Sequence, residues 1–417
     1  MFEDKQTYLN AEASDKPLEN PVKQETVEIV RMQRLAKMRE KISEHDCAGI
    51  LLFDPPNIRF ATDTSNMQVW TLHNPARYCM VMADGPVILW DYHNCEHLSD
   101  GYETIDEVRP AISCFYFSAG TRLQERTKRW ADEILDVVRQ YGGGNTRLAV
   151  DKCEPDGTFA LSNRGLDIIE GQELTEHARK IKSVEELQLM DWTIQVCQSG
   201  MWRMREASTD GRTENEVWAE LHFENIRNGG EWIETRLLSA GRRTNPWFQE
   251  SSAHVMHTGD MLAFDTDLIG PYGYCADISR SWTVGHTAPT AEQKTLYGVA
   301  LDHIHHNMEL LKPGLTFAEF NEASYPIADI YLKNRYGSAI HGVGLCDEWP
   351  AIPNTVDFAK STEGMFEPGM VVCVESYTGA EGGTEGVKLE VQVLITEDGH
   401  RQLDSFPFED WGWAGAD

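Results

Sequence analysis

The sequence predicts an α+β chain of two domains. Three observations lead there. The 417 residues exceed what a single hydrophobic core organises. Helical and strand patterns alternate over the first part of the chain, to about residue 170. The remainder runs as two helices followed by a β-rich stretch, twice over. Residues 1–22 read as a polar arm, 23–172 as a small α/β domain and 173–417 as a larger domain.

In the first domain a helix is predicted over residues 25–44, where Ile29, Met32, Leu35, Met38 and Ile42 recur near helical spacing. Apolar runs at 48–53, 78–82 and 86–90 lie between turn signals and read as strands. A second helix is predicted over 123–141, where Gly142, Gly143 and Gly144 stop it. In the larger domain four helix starts carry a capping box, in which a Ser or Thr and an acid or amide three residues on satisfy each other's backbone donors. They are Ser183 with Glu186, Thr213 with Glu216, Thr290 with Gln293 and Thr316 with Glu319. Two such helices precede a stretch holding Asp265, Asp267 and Asp277, and two more precede one holding His341, Glu375 and Glu390. The repeated order suggests two similar halves.

Hydrophobic residues make up 41% of the chain, enough for ordinary globular packing. Thirty-seven basic against 67 acidic residues leave a formal charge of −30. A phosphate backbone is repelled by such a surface, so no nucleic-acid partner is expected. No apolar run approaches the roughly 18 residues of a membrane span, so no membrane partner is expected either. The start of the chain lacks the basic and apolar regions of a signal peptide. The nine cysteines are odd in number, scattered, and form no CxxC pair. That pattern fits reduced thiols and a cytoplasmic protein.

The chemistry concentrates in the larger domain. Residues 263–269 read as a strand, on which Asp265 and Asp267 point to one face. Gly270, Pro271 and Gly273 turn the chain, and an antiparallel return over 274–284 carries Asp277. Crowded carboxylates resist joint ionisation, and a divalent metal removes that cost. Glu375 and Glu390 each sit inside an apolar, β-branched run, where a carboxylate needs a partner. Acids with one histidine, His341, form a hard, oxygen-rich set suited to two divalent transition-metal ions such as iron, manganese or zinc. His254, His257, His303, His305 and His306 are assigned packing or local bonding and no role at the site.

The order Asp, Asp, His, Glu, Glu on strands of a C-terminal region resembles the metallopeptidase superfamily with the pita-bread fold. Local stretches agree: Ala178 to Ser183 followed by Glu185 and Glu186, Gly259-Asp260, Asp277-Ile278-Ser279-Arg280, and His341-Gly342-Val343-Gly344-Leu345. The likeness covers about residues 176–400. Asn57-Ile58-Arg59-Phe60 more loosely resembles the creatinase-type N-terminal domain.

Three departures separate the chain from a peptidase. Thr266 stands where the peptidases carry an aspartate, with Asp265 and Asp267 on either side. The upstream Pro-His pair is replaced by Asn245-Pro246-Trp247, and indole cannot handle a proton at neutral pH. After the histidine loop the chain reads Cys346-Asp347-Glu348-Trp349-Pro350, an acid where an imidazole is expected. Both proton-handling histidines are gone while the metal ligands remain, which argues against amide cleavage.

The same segments make the chain similar to a narrower group, the dimethylsulfoniopropionate lyases of DddP type. That resemblance implies a homodimer that binds iron, with zinc, manganese or nickel as substitutes. It implies a small zwitterionic sulfonium substrate, split into dimethyl sulfide and acrylate. On these residues Asp347 is expected to be the base, with Glu348 as the alternative. Tyr336, Trp349 and Trp247 are expected to face the sulfonium, a cation that favours aromatic faces. The competing readings are a metal-dependent aminopeptidase or Xaa-Pro dipeptidase, and a non-enzymatic pita-bread binding protein. The filled ligand positions count against the latter.

Overall fold

The computed structural model describes residues 16–357 and 363–411. Their contacts divide the chain into two compact units. One is Lys23–Arg179; the other takes the described residues on either side of it. The division falls after Arg179, beyond the expected start at 173, because the helix Gln172–Arg179 packs on the helix Gln24–Glu44. The described end of the polar arm belongs to the C-terminal unit: the Leu18 amide donates to Asn228 Oδ1 and Asn20 Nδ2 to the Tyr272 hydroxyl.

The N-terminal unit is built on one mixed sheet. Its strands are β1 (Gly49–Leu52), β2 (Tyr78–Met82), β3 (Val87–Asp91), β4 (Glu107–Pro110), β5 (Arg147–Val150) and β6 (Asp167–Glu170), in the order β4-β3-β2-β1-β5-β6. The helix Leu123–Tyr141 lays Trp130, Ile134, Leu135 and Val138 into the core formed by this sheet. The helix Gln24–Glu44 differs from its sequence reading. Ile29 and Met32 are exposed, and the buried face runs Val27, Arg31, Leu35, Met38 and Ile42. That face has truer three-and-four spacing, and Arg31 joins it by pairing with Asp63 and Glu103.

The C-terminal unit has two halves, each with its own core. All four capping boxes form, at the starts of the helices Val184–Ala207, Glu214–Arg227, Ala291–Leu310 and Phe317–Ala323. In the first half, the first two helices pack on β7 (Trp232–Ile233), β8 (Leu238–Ala240), β9 (Met261–Phe264), β10 (Leu268–Ile269), β11 (Cys275–Ala276) and β12 (Arg280–Thr283). These strands make two small antiparallel sheets, β12-β9-β8 and β11-β10-β7. In the second half, the helix Ala291–Leu310 packs on β15 and β16 of a five-stranded sheet. Its strands are β13 (Ser338–Val343), β14 (Asp347–Pro353), β15 (Val371–Thr378), β16 (Val387–Ile395) and β17 (His400–Gln402), ordered β14-β13-β15-β16-β17. The halves meet along β12 and β16.

Candidate metal centre

The seam between the halves is where the predicted ligands meet. There the Glu390 amide donates to Ser279 O, Arg280 Nη1 donates to Glu390 O, and Ser281 Oγ donates to Lys388 O while accepting from the Lys388 amide. The expected continuous strand over 263–269 is broken. β9 ends at Phe264, β10 begins at Leu268, and Asp267 between them adopts a positive φ of 35°. Thr266 bridges the break: its hydroxyl donates to Ala276 O and accepts from the Ile278 amide. The kink turns Asp265 and Asp267 towards Asp277, so that each of the three offers an oxygen within 4.8 Å of the others. Asp277 also belongs to a second group on the same scale, with His341, Glu390 and Cys373.

His341 links the parts. Its Nδ1 lies 3.0 Å from Gly342 O, and a carbonyl only accepts, so Nδ1 carries the proton. Nε2 then faces Glu375 Oε1 at 3.1 Å, Asp277 Oδ2 at 3.5 Å and Glu390 Oε1 at 3.6 Å. A ring nitrogen turned on three carboxylates calls for a cation at that place, a proton or a metal. Burial opposes charge on His341, yet its closeness to Glu375 and Glu390 raises its pKa well above the ordinary value. Burial raises the carboxyls of Asp265, Asp267 and Asp277, and neighbouring acids add to the rise for Asp267 and Asp277. Asp277 Oδ1 and Glu390 Oε1 are buried and accept no hydrogen bond among the described residues. Orphaned oxygens among clustered acids fit divalent cations, so the residues present suit the metals that the donor set implies.

Asp347 lies at the rim. Its Oδ1 is 3.6 Å from His341 Nδ1, and 59% of its side chain remains exposed. Partial enclosure raises its carboxyl, His341 opposes the rise, and Glu390 and Asp265 add to it. The register of β13 on β14 shifts between His341 and Gly342: His341 pairs with Ala351, but Gly342 pairs with Glu348. Such a bulge re-aims side chains, here on either side of Trp349 and Pro350. Glu348, the alternative base, is buried and bonded to Lys182 Nζ and the Leu345 amide.

The aromatic residues are brought together only in part. Trp247 packs on Tyr377 and Ala263, with Tyr336 beside them. Tyr336 has its ring engaged by Lys388, 4.8 Å from the centroid, and by Phe248, stacked at 5.3 Å. Trp349 instead packs edge-on against Phe317 and beneath Lys180, at the margin of the second core. The bulge in β14 is what directs it there.

Four residues of the site escaped the sequence reading. Cys373 stands two residues before Glu375, on the same strand face. Ser279 Oγ lies 2.7 Å from Asp265 Oδ1 and 2.9 Å from Glu390 Oε2. Phe248 is 62% exposed and forms the outer layer on Tyr336. Lys388, two residues before Glu390 in an apolar strand, is fully buried against Asp265, Glu375 and Glu390. Strand alternation from Glu375 and Glu390 was the available signal for Cys373 and Lys388.

Comparison with known proteins places this geometry. Residues 188–397 match metallopeptidase family M24. Over 392 residues the chain is 45% identical to "Dimethylsulfoniopropionate lyase DddP" of Roseovarius nubinhibens, covering 91% of this chain and 86% of the relative. The chain belongs to the DddP family. The protein of the same name from Roseobacter denitrificans is 42% identical over 387 residues, with the same coverage of both chains. Among solved structures, the Xaa-Pro dipeptidase from Bacillus anthracis superposes with a TM-score of 0.72 at 22% identity, over 91% of this chain and 99% of that one. The fold is therefore the pita-bread fold of the M24 family, with a creatinase-like N-terminal unit.

Proposed function

We propose that this chain is a metal-dependent lyase that cleaves dimethylsulfoniopropionate to dimethyl sulfide and acrylate. The observation that carries the reading is Asp347: a solvent-facing carboxylate stands beside the acidic nest, in a chain 45% identical to a lyase of that name. Asp265, Asp267, Asp277, His341, Glu375 and Glu390 would hold two divalent ions. The family resemblance favours iron. When bound, the ions supply Lewis-acid stabilisation of negative charge developing on the substrate carboxylate.

The residues of the chain supply the rest. Asp347 takes a proton from the carbon next to the substrate carboxylate. The electrons of that C–H bond form the new double bond, the C–S bond breaks, and its pair leaves on sulfur as neutral dimethyl sulfide. The proton stays on Asp347 until solvent removes it, which its exposure permits. His341 Nδ1, held by Gly342 O, keeps the ring fixed beside Asp347. Trp247, Tyr336 and the outer face of Phe248 supply an aromatic wall for the sulfonium, each contact worth about 0.5–2 kcal/mol. Trp349 is left out of this wall because it packs against Phe317 at the margin of the second core, whereas Trp247 and Tyr336 pack together. We further infer a cytoplasmic homodimer, from the reduced thiols and the family resemblance. Proton NMR of a reaction mixture tests the chemistry: acrylate and dimethyl sulfide should rise in equal amounts. Release of dimethyl sulfide with a hydroxy acid in place of acrylate would contradict elimination.

A further inference from the structure

The acidic nest already contains one cation of its own. The Lys388 side chain is fully buried, and its ammonium lies 3.0 Å from Asp265 Oδ2, 3.0 Å from Glu390 Oε2 and in contact with Glu375 Oε2. It also donates to Ser279 Oγ at 2.8 Å, and the Tyr336 ring covers it. Its backbone is pinned to β12 through Ser281 on both its amide and its carbonyl. Burying a long ammonium side chain costs hydration and side-chain entropy, and an apolar residue would serve a packed strand better.

What the lysine holds is specific. On Glu390 it takes Oε2 and leaves Oε1 without a hydrogen bond, 3.6 Å from His341 Nε2. On Glu375 it takes Oε2, and Oε1 is turned to His341. One oxygen of each glutamate is gripped and the other is presented to the centre of the nest.

We propose that Lys388 is a positioning residue of the metal nest, a fixed positive charge that grips one oxygen each of Asp265, Glu375 and Glu390 and leaves the second oxygen of each glutamate presented to the ions. The proposal rests on the nest holding metal, so the test separates the two. Thermal melts are run on the full-length protein, chelated and then supplemented with Mn²⁺, for wild type, Lys388→Met and Lys388→Arg. Chelated Lys388→Met should melt on the order of 10 °C below chelated wild type, because its acids have lost their internal counter-charge. Mn²⁺ should restore most of that difference, so its metal-induced rise exceeds that of wild type. Lys388→Arg should stay near wild type in both states. An equal metal-induced rise in Lys388→Met and wild type would make the lysine an ordinary buried residue and overturn the proposal. So would a Lys388→Met protein that fails to fold even with Mn²⁺. A wild type with no metal-induced rise would overturn the metal reading and this proposal together.

Discussion

Replacing Asp347 by Asn removes the proposed base while keeping its size and polarity. Removal of a general base typically lowers turnover by about 10²- to 10⁴-fold. With 59% of the side chain exposed, water reaches the same position and can substitute in part. The expected loss is therefore nearer the lower end, about 10²- to 10³-fold, or about 3–4 kcal/mol in the barrier. Metal content should not change, because Asp347 is outside both groups of clustered ligands. The raised Asp347 carboxyl keeps its proton to higher pH than an ordinary aspartate. Wild-type turnover should thus climb with pH through a limb above the usual carboxylate range, and the Asn variant should lose that limb. The assay is headspace detection of dimethyl sulfide across pH, beside elemental analysis. The control is Glu348→Gln, which breaks the buried pair with Lys182 at a cost of about 3–5 kcal/mol in stability but leaves the proposed base in place. A folded, metal-loaded Asp347→Asn with near-normal turnover, beside an inactive but folded Glu348→Gln, would refute the assignment.

Asp277→Ala should lose most bound metal, since Asp277 is shared by both ligand groups; unchanged metal by elemental analysis would exclude it. Glu390→Ala should abolish dimethyl sulfide release, and full turnover would remove Glu390 from the site. Burial lowers the His303 pKa from 6.5 to about 3, so the unfolded chain binds a proton that the folded chain does not within that window. The stability His303 contributes is complete above 6.5 and is lost as pH falls towards 3, by about 1.4 kcal/mol per pH unit. In denaturant titrations His303→Gln should show a shallower decline there; an identical slope would show that the ring is not held neutral. Light scattering should give twice the chain mass of 47.2 kDa, and a mass near one chain would count against the homodimer.

Much of the fold was legible because its signals are local. A capping box is a bond between residues three apart, so Ser183, Thr213, Thr290 and Thr316 could be read without knowing what the helices touch. Alternation along a strand likewise places the paired Glu375 and Glu390 on one face, opposite the core face of Val374 and Val391. What was not legible depends on departures from regular geometry. The break at Thr266 and the bulge at Trp349 each redirect a side chain, and neither leaves a periodic trace. Lys388 was hidden for another reason. A lysine in an apolar strand reads as a residue on a solvent face, and only the acids arriving beside it from the end of β9 and from β15 explain its burial.

The central claim is that this M24 fold performs elimination and not peptide hydrolysis. It is tested most directly by giving one metal-loaded preparation dimethylsulfoniopropionate and, in parallel, an Xaa-Pro dipeptide. The account predicts sustained release of dimethyl sulfide that stops on chelation, with no dipeptide cleavage above background. Dipeptide cleavage without dimethyl sulfide from the same preparation would contradict it.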